Sequence, residues 1–400
     1  MRDESTVNMF LEIIREKLDY SVEAGEEEVR ELIASTVYKE TLNDKMTLSQ
    51  REELCKILFD SIRKLDILQE LIEDDEVSEI MVNGYENIFV ERNGVLNKWD
   101  KKFASKEKFE DVIQQIVSGS NRTVNESEPI VDSRLTGGER VNVVLSPPAL
   151  NGPILTIRRF PKEVFTMETL VEKGSISKEA ADLMSELVVA GYNIFVSGGT
   201  SSGKTTMLNA LSGCIPSKER VVTIEDSAEL QLSGIENIVK LETRNANSSG
   251  CGAITIRDLI RTSLRMRPDR LIVGEVRGGE VVDMLQAFNT GHEGSMSTGH
   301  ANSSNDMLVR LEAMYMQAVE IPLEAIKRQI ASGIDIMVHL ERERDGRRYV
   351  TEINEVYGVE EGQIVLSPLF TLEQSEKGYV LTKTNELTNR RKLEKLNGLR

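Results

Sequence analysis

Apolar residues recur at helical spacing over the first 72 positions of the chain. They occupy positions 7, 10, 11, 14 and 18, then 29, 32, 33 and 37, and then a third series from 54 to 72. A spacing of three and four residues lines such side chains along one face of a helix. The pattern therefore predicts an N-terminal bundle of about three helices over residues 1–75.

The pattern changes near residue 79, where short apolar runs replace the helical spacing. Residues 79–84 and 88–96 are typical of two strands, and Asn93-Gly94 is a strong signal for a type I′ turn. Further along, the pattern predicts a helix from about 106 to 117 and strands at 140–145 and 155–160. These elements predict a smaller α/β, PAS-like domain over residues 76–162. Pro161 cannot continue a ladder, so we expect a linker over residues 163–176.

Helical and strand-like segments alternate from residue 177 onward. The predicted strands are short and apolar, and they lie near residues 195, 221–224, 238–241, 271–273, 294–298 and 336–340. This alternation is typical of a mostly parallel sheet covered by helices. We therefore predict a third domain, of α/β class, over residues 177–400. The last 13 residues form a basic tail with five basic side chains against one acidic.

Charge and cysteine usage narrow the function classes. The chain has 400 residues and a formal net charge of −17, and residues 1–80 hold 22 acidic against 10 basic side chains. The acidic bundle is a solvated face or a docking surface for a basic partner. The charge argues against a general nucleic-acid binder, so no DNA partner is expected.

The three cysteines, Cys55, Cys214 and Cys251, fit neither a disulfide framework nor a zinc pair. Without an apolar run of about 18 residues or a signal peptide, we expect a cytoplasmic protein.

Residues 198–205 read Gly-Gly-Thr-Ser-Ser-Gly-Lys-Thr, a complete G-x-x-x-x-G-K-[ST] phosphate loop. A predicted strand precedes it and a predicted helix follows it, as the motif requires. Its glycines are expected to adopt positive φ, its lysine to neutralise phosphate charge, and its threonine to bind Mg²⁺. We therefore expect a RecA-like P-loop NTPase domain that binds ATP through Gly198, Gly199, Thr200, Ser201, Ser202, Gly203, Lys204, Thr205 and Thr206.

Carboxylates follow two other predicted strands. Glu275 ends an apolar strand in the manner of a Walker B element, where a carboxylate emerges beside the phosphate loop. Glu225 and Asp226 follow the strand that comes directly after the loop. Carboxylates in these positions are suited to holding Mg²⁺ through water or polarising an attacking water. The predicted metal ligands are therefore Thr205, Glu225, Asp226 and Glu275.

Two of the three histidines lie in a glycine- and serine-rich segment, at His292 and His300. An imidazole there can donate to a phosphate oxygen or transmit nucleotide occupancy to a neighbour. A zinc pair is the competing interpretation, although no cysteine or third histidine lies close in sequence.

With these segments in order, the chain resembles the type II/IV secretion ATPases, or traffic ATPases, of bacterial inner membranes. The family has four ordered motifs: a Walker A loop, an Asp box, a Walker B segment and a His box. They match residues 198–205, 223–230, 264–278 and 291–302 of this chain. The resemblance covers roughly residues 76–340.

Within that family the chain is most similar to the CpaF-like ATPases of tight-adherence (Flp/Tad) pili. Residues 81–84, 155–160, 241–244 and 283–292 carry this similarity. The four-cysteine zinc motif of general-secretion and pilus-extension ATPases is absent from the sequence, which counts against that branch.

The resemblance implies roles for individual residues. Glu275 would be the catalytic carboxylate, Glu225 and Asp226 would organise metal and water, and His292 and His300 would sense the nucleotide state. Lys204 would act on the transferring phosphoryl group.

The resemblance also implies that arginines of the smaller domain reach the nucleotide. Arg140 and Arg158 match best, because each lies on a short strand and a guanidinium can grip phosphate oxygens bidentately. Arg159 is the alternative, and a surface salt bridge is the competing role for each arginine. Arg244 and Arg277 are expected to act across a subunit boundary.

The expected function is ATP hydrolysis that drives pilus assembly or secretion through domain motion. The resemblance implies a homo-hexamer at the inner membrane, with a polytopic platform protein as partner. Two alternatives stay open: a nucleic-acid or conjugation motor on the same RecA-like core, and a nucleotide-gated scaffold that does not hydrolyse ATP.

Overall fold

A computed structural model describes residues 4–18, 25–42, 46–92, 94–120, 122–159, 165–244, 246, 251–343, 346–375 and 378–398. The chain divides into two compact units, residues 1–162 and residues 163–400.

Three amphipathic helices begin the first unit: α1 (Glu4–Lys17), α2 (Glu26–Glu40) and α3 (Leu48–Arg63). Helix α3 is started by a capping box in which Thr47 and Gln50 each accept the other's backbone N–H. The apolar faces form one core of nine buried side chains: Phe10, Leu11, Ile14, Val29, Ile33, Val37, Leu54, Leu58 and Phe59. The predicted three-helix bundle is present.

A short fourth helix, α4 (Leu68–Glu73), does not belong to that bundle, contrary to our assignment of positions 68–72. Leu68 and Leu71 are fully buried in the core of the sheet that follows. Helix α4 has six residues, which is less than two turns, so its position depends on the surface against which it packs. That surface is the core of the sheet, where Leu68 and Leu71 are buried.

The rest of the first unit is an antiparallel sheet of six strands with one helix. The strands are β1 (Val77–Asn83), β2 (Ile88–Arg92), β3 (Val95–Lys98), β4 (Ile130–Arg134), β5 (Arg140–Val144) and β6 (Ile154–Arg158), in the order β3-β2-β1-β6-β5-β4. Helix α5 (Lys106–Gly119) buries its apolar side with the inner face of the sheet. Strand β4 was not predicted, and Asn93 of the predicted turn lies outside the described residues.

The predicted linker is partly structured. Helix α6 (Met167–Glu172) lies within residues 163–176, and Met167, Leu170 and Ile176 are buried in the second unit's core. The linker prediction rested on Pro161, but a proline that ends a strand does not prevent the apolar residues after it from packing into a core. Pro161 and residues 163–164 lie outside the part of the chain that the structure describes.

The second unit is built on a nine-stranded sheet. Six strands run parallel: β7 (Ile194–Gly198), β8 (Arg220–Glu225), β9 (Asn237–Glu242), β10 (Arg270–Val273), β11 (Met296–His300) and β12 (Ile336–Arg342). The order is β15-β14-β13-β12-β7-β11-β10-β8-β9. The central strands are buried on both faces, as a parallel sheet requires.

Helices cover both faces of this sheet. They are α7 (Lys178–Ala190), α8 (Lys204–Ser212), α9 (Ile256–Ser263), α10 (Val281–Asn289), α11 (Ser304–Ala318) and α12 (Leu323–Gly333). The α/β, RecA-like class predicted for this domain is confirmed by the parallel sheet with a helix layer on each face.

Three further strands extend the sheet and were not predicted: β13 (Arg348–Glu360), β14 (Gln363–Ser375) and β15 (Gly378–Lys383). They are antiparallel and follow β12 as successive hairpins. The predicted basic tail contains helix α13 (Arg391–Gly398), which packs against the second unit. Lys392 donates to Asp335 and to the carbonyl of Gly191, each at 2.8–2.9 Å, and Leu393 is buried.

Candidate active site

Four parallel strands of the second unit end at one edge of the sheet. In spatial order β7, β11, β10 and β8 end at Gly198, His300, Val273 and Glu225. The carboxyl edge of such a sheet is where ligands bind in open α/β folds. Neighbouring strand ends thus bring together side chains that are up to about one hundred positions apart in sequence.

The phosphate loop fills the turn between β7 and α8. A Cβ at Gly198 would collide with the carbonyl oxygen of Leu340 and the hydroxyl of Ser202, and Gly203 has φ +100°. Both positions therefore require glycine. Gly199 shows neither constraint, so the positive φ that we expected there is wrong.

The loop ends at the first turn of a helix. Helix α8 begins at Lys204, so its first backbone N–H groups, including those of Thr205 and Thr206, have no partner within the helix. Such a helix start binds phosphate well. Ser201 adopts φ +58°, which is uncommon outside glycine and was not anticipated. Thr200 is exposed, whereas Ser202 is buried.

Lys204 is held by the loop itself. Its Nζ donates to the carbonyl oxygens of Gly198 and Gly199 at 3.2 and 2.8 Å, and it lies 3.3 Å from Nδ1 of His300. The side chain is buried, so a phosphate with its negative charge is a stronger partner for the ammonium than these carbonyls.

The carboxylate of Glu275 lies between two side chains, the imidazole of His300 and the guanidinium of Arg277. Its Oε1 lies 3.0 Å from Nε2 of His300, and its Oε2 accepts from Nη2 of Arg277 at 2.9 Å. The carboxylate of Glu275 raises the pKa of the Arg277 guanidinium above its usual range. Burial and the nearby Lys204 ammonium lower the pKa of His300, which keeps its imidazole neutral at pH 7.

Glu225 and Asp226 follow β8 but face different environments. Glu225 is buried, and its Oε2 accepts from the backbone N–H groups of Glu229 and Leu230 at 2.7 and 2.9 Å. Burial raises the pKa of Glu225 to about 7, against the lowering effect of those two bonds. Asp226 is exposed and accepts from the hydroxyl of Thr243 at 2.8 Å.

Two carboxylate oxygens at this edge have no aligned donor. Within the described residues, Oε1 of Glu275 and Oε1 of Glu225 are buried without a hydrogen-bond partner. Buried anionic oxygens of this kind suit a hydrated Mg²⁺ ion, which is commonly held by one or two carboxylates together with substrate phosphates. The described residues contain no group of three His, Cys, Asp or Glu that would hold a metal alone.

His292 lies at the other end of β11. It comes four positions before the strand begins at Met296, whereas His300 ends it, and its Nδ1 lies 3.1 Å from the carbonyl oxygen of Ala287. A strand of this length separates the two histidines by more than about 13 Å. The structure therefore brings His300, and not His292, to the edge that carries the phosphate loop within this chain.

The smaller sheet of the first unit carries a row of aligned charges. Arg134, Arg140 and Arg158 lie directly opposite one another on β4, β5 and β6, and Glu79 and Glu91 continue the row on β1 and β2. Like charges placed opposite each other destabilise a sheet. A row of three arginines is consequently suited to an anion. Arg134 was missed because β4 was not predicted, and its register with Arg140 is the signal that identifies it.

Arg159 points to the other side of the strand and is structural. Its guanidinium is buried and donates to the carbonyl oxygens of Leu71, Asp74 and Val77. Its Nη1 is held by backbone carbonyls, which gives Arg159 a structural role and leaves Arg158 as the candidate for phosphate binding. Arg244 is exposed after β9 and donates to the carbonyl of Gly252 at 2.8 Å.

This edge lies in a segment that matches a known protein family. The profile of the family described as "Type II/IV secretion system protein" matches residues 62–385. The chain belongs to this family. The match includes both sheets, the phosphate loop and the three other motifs, so the family expected from the sequence is confirmed.

Relatives of this family member include proteins named for conjugal transfer and for type IV secretion. The chain is 33% identical over 317 residues to the conjugal transfer protein TrbB of Rhizobium radiobacter, with 78% of this chain and 93% of that protein covered. It is 33% identical over 315 residues to the type IV secretion system protein PtlH of Bordetella pertussis, with 72% and 93% covered.

Solved structures share the fold at lower identity. The pilus retraction motor PilT, solved with bound ADP, covers 84% of this chain, with 87% of its own length matched, at 19% identity and a TM-score of 0.54. The ATPase DotB of Legionella pneumophila covers 70%, with 77% of its length matched, at 23% identity and a TM-score of 0.52.

Among the helices that the structure describes, none has both the length and the apolar character that crossing a bilayer requires.

Proposed function

We propose that this family member is an ATPase of a type II/IV secretion system. The observation that carries the proposal is a pair of contacts at the end of the phosphate loop: Nδ1 of His300 lies 3.3 Å from Nζ of Lys204, and Nε2 of the same ring lies 3.0 Å from Oε1 of Glu275. A lysine for the phosphates and a carboxylate for the attacking water are the two parts that hydrolysis needs beyond binding.

In the proposed reaction, ATP binds with its phosphates against the N-terminus of α8. Lys204 exchanges the carbonyls of Gly198 and Gly199 for phosphate oxygens, and Glu275 orients a water molecule and accepts its proton. The water oxygen bonds to the γ-phosphorus while the bond from that phosphorus to the β,γ-bridging oxygen breaks. The products are ADP and inorganic phosphate.

Mg²⁺ fits the oxygen donors present. Thr205, Glu225, Asp226 and Glu275 are the residues that would hold it, directly or through water. When bound, the ion neutralises phosphate charge. Glu225 contributes a full negative charge only when it is deprotonated, which its raised pKa places near neutral pH.

We further propose that hydrolysis drives movement between the two units. In this proposal Arg140 and Arg158 grip the γ-phosphate when ATP is bound, and its loss lets the units part. The family assignment supports a homo-hexamer at the cytoplasmic side of the inner membrane that moves a polytopic platform protein. In this hexamer Arg244 and Arg277 would act between subunits, and His292 would sense the nucleotide state of a neighbouring subunit. Tight-adherence pilus assembly is the system we propose.

Conjugal transfer is the second candidate. The relative TrbB, named as a conjugal transfer protein and covered over 93% of its length, favours it. The net charge of −17 argues against direct DNA binding, so the motor would act on the transfer apparatus rather than on DNA. Turnover that rises with added duplex DNA would support the alternative of a nucleic-acid motor.

The deciding experiment is steady-state phosphate release from Mg·ATP by the full chain and two variants. Lys204→Ala and Glu275→Gln are each expected to lower kcat by at least about 100-fold. Glu275→Gln keeps the size of the side chain and should still bind ATP. If Glu275→Gln hydrolyses ATP at the parent rate, the catalytic assignment fails. If the parent binds ATP without turnover, the protein is a nucleotide-gated scaffold.

A further inference from the structure

The third histidine of the chain lies directly behind the phosphate loop. His339 is on β12, beside Ser197 of β7, in a register that pairs the two residues. Ser197 is the residue before Gly198, where the loop begins. The His339 side chain is almost fully buried, although the proposed reaction does not use it.

His339 and Ser197 are joined by a buried hydrogen bond. Nδ1 of His339 lies 2.8 Å from Oγ of Ser197, and the same hydroxyl donates to the carbonyl of Val338 at 3.3 Å. These contacts are all satisfied when Nδ1 carries the proton and donates to the hydroxyl, so we assign that tautomer. Nε2 has no partner with hydrogen-bond geometry among the described residues. Burial lowers the pKa of His339, which favours this neutral form.

Two other neighbours of His339 belong to the segment that follows His300. The backbone of Asn302 and the carboxylate of Asp306 act on the imidazole, as do Glu352 on β13 and Glu341 on β12, whose Oε1 lies 3.8 Å from Nε2. Glu352 in turn accepts from the backbone N–H of Ser304, the first residue of α11, at 2.9 Å. His339 therefore lies between the strand that carries the loop and the start of the helix after His300.

We propose that His339 is a positioning residue for the nucleotide, acting through Ser197 to hold the phosphate loop in register with the His300 segment. The inference rests on the proposed function, because it assumes that the loop binds ATP. Lys204 and His300, which are 3.3 Å apart, lie on the two segments that His339 joins. We call the contact between His339 and Ser197 the brace. A substitution that breaks the brace should displace both Lys204 and His300 through the backbone, although the brace contacts neither of them.

The test measures ADP binding in the presence of Mg²⁺ by calorimetry, using the full chain at pH 7.5. His339→Leu removes the donor and is expected to raise Kd for ADP about 5- to 20-fold, the range that losing one buried hydrogen bond gives. Ser197→Ala removes the same contact together with the bond from the hydroxyl to the carbonyl of Val338, and should raise Kd at least as much. The double variant should show no increase beyond that of Ser197→Ala, since His339→Leu breaks a contact that Ser197→Ala already removes.

Two variants separate positioning from general destabilisation. His339→Asn keeps an N–H near the place of Nδ1 and should recover most of the affinity. Ser263→Ala removes another buried hydroxyl, one that donates to Ile260 at the end of α9, and should leave Kd unchanged at any cost in stability. In turnover assays the brace should appear mainly in KM, because Glu275 is left in place.

The outcomes distinguish the two proposals. If the parent does not bind ADP, the proposed function fails. If the parent binds ADP but Ser197→Ala and His339→Leu match it, or if their effects add in the double variant, the inference about His339 is overturned while the proposed function stands. Should His339→Leu not fold, an unchanged Kd in Ser197→Ala alone overturns it.

Discussion

The Nε2 atom of His300 lies 3.0 Å from Oε1 of Glu275, while the Nδ1 atom of the same ring faces Lys204 at 3.3 Å. Because an ammonium can only donate, Nδ1 accepts and the proton of the neutral ring is on Nε2, beside the carboxylate. One imidazole therefore spans the phosphate-binding cation and the carboxylate proposed to activate water.

Replacing His300 with alanine is expected to lower kcat about 100-fold, because the ring that lies between Lys204 and Oε1 of Glu275 is lost. His300→Gln restores an N–H toward Glu275 and should recover part of the rate. The measurement is phosphate release under saturating Mg·ATP. Equal rates for the parent and the alanine variant would remove His300 from the catalytic arrangement.

The pH profile gives a second test of His300. Its pKa is lowered from an ordinary value of 6.5, so protonation begins only at more acidic pH. A protonated ring cannot accept from Lys204 and repels it. We expect kcat of the parent to fall as pH drops below 6.5, and we expect His300→Gln to lack this part of the decline. An identical acid limb in both proteins would contradict the assignment.

The glycines of the phosphate loop offer an internally controlled stability test. Gly203→Ala forces a Cβ into a backbone with φ +100° and should destabilise the second unit by about 1 to 3 kcal/mol. Gly199→Ala meets no atom within 4 Å and should change stability by no more than about 0.5 kcal/mol. Urea unfolding of both variants checks this. A reversed order of effects would show that the loop has a different backbone in solution.

Glu225 should give the protein a specific dependence of stability on pH. Its pKa is about 7 in the folded chain against an ordinary value of 4.5, so between these values the folded state retains a proton that the unfolded state has lost. The contribution of Glu225 to the free energy of unfolding is therefore at its maximum below about pH 4.5 and is lost as pH rises toward 7. The loss is about 1 kcal/mol per pH unit.

Glu225→Gln isolates this effect, because the amide oxygen can still accept from Glu229 and Leu230. The free energy of unfolding, measured in urea at pH 5.5, 7 and 8.5, should fall relative to the glutamine variant as pH rises. A constant difference between the two proteins would mean that Glu225 is ionised over the whole range.

Much of the edge that carries the phosphate loop was predictable from sequence, because each group lies within a few positions of an apolar strand end. Lys204, Glu225 and Glu275 follow strands whose carboxyl ends must meet in a parallel sheet. His292 could not be separated from His300 in this way, since strand direction across eight positions decides which one reaches the edge. Strands β13 to β15 were not predicted because apolar and polar side chains do not alternate strictly along them. In β13, buried residues occur on parts of both faces.

The arginines show the same limit in another form. Arg158 and Arg159 are adjacent in sequence, and a strand sends their side chains to opposite faces. The face that each one reaches depends on where β6 pairs with β1, and that pairing is a long-range contact. Register also reveals Arg134, which no local pattern marks.

These two neighbours make a matched pair for the last prediction. Arg159→Ala removes a guanidinium that donates to the carbonyl oxygens of Leu71, Asp74 and Val77, and the loss of these charge-assisted bonds is expected to cost about 2 to 4 kcal/mol of stability. Arg158→Ala removes a guanidinium that lies between Arg140 and Glu79 on neighbouring strands and should change stability by no more than about 0.5 kcal/mol, since relief of the like-charge repulsion offsets loss of the attraction to Glu79. In ATP turnover the roles reverse, with Arg158→Ala slowing kcat while part of the ATP affinity is kept. Unfolding in urea and phosphate release, measured on both variants, test the pair together. An Arg158→Ala variant with the parent's kcat would assign that arginine to the sheet rather than to the nucleotide.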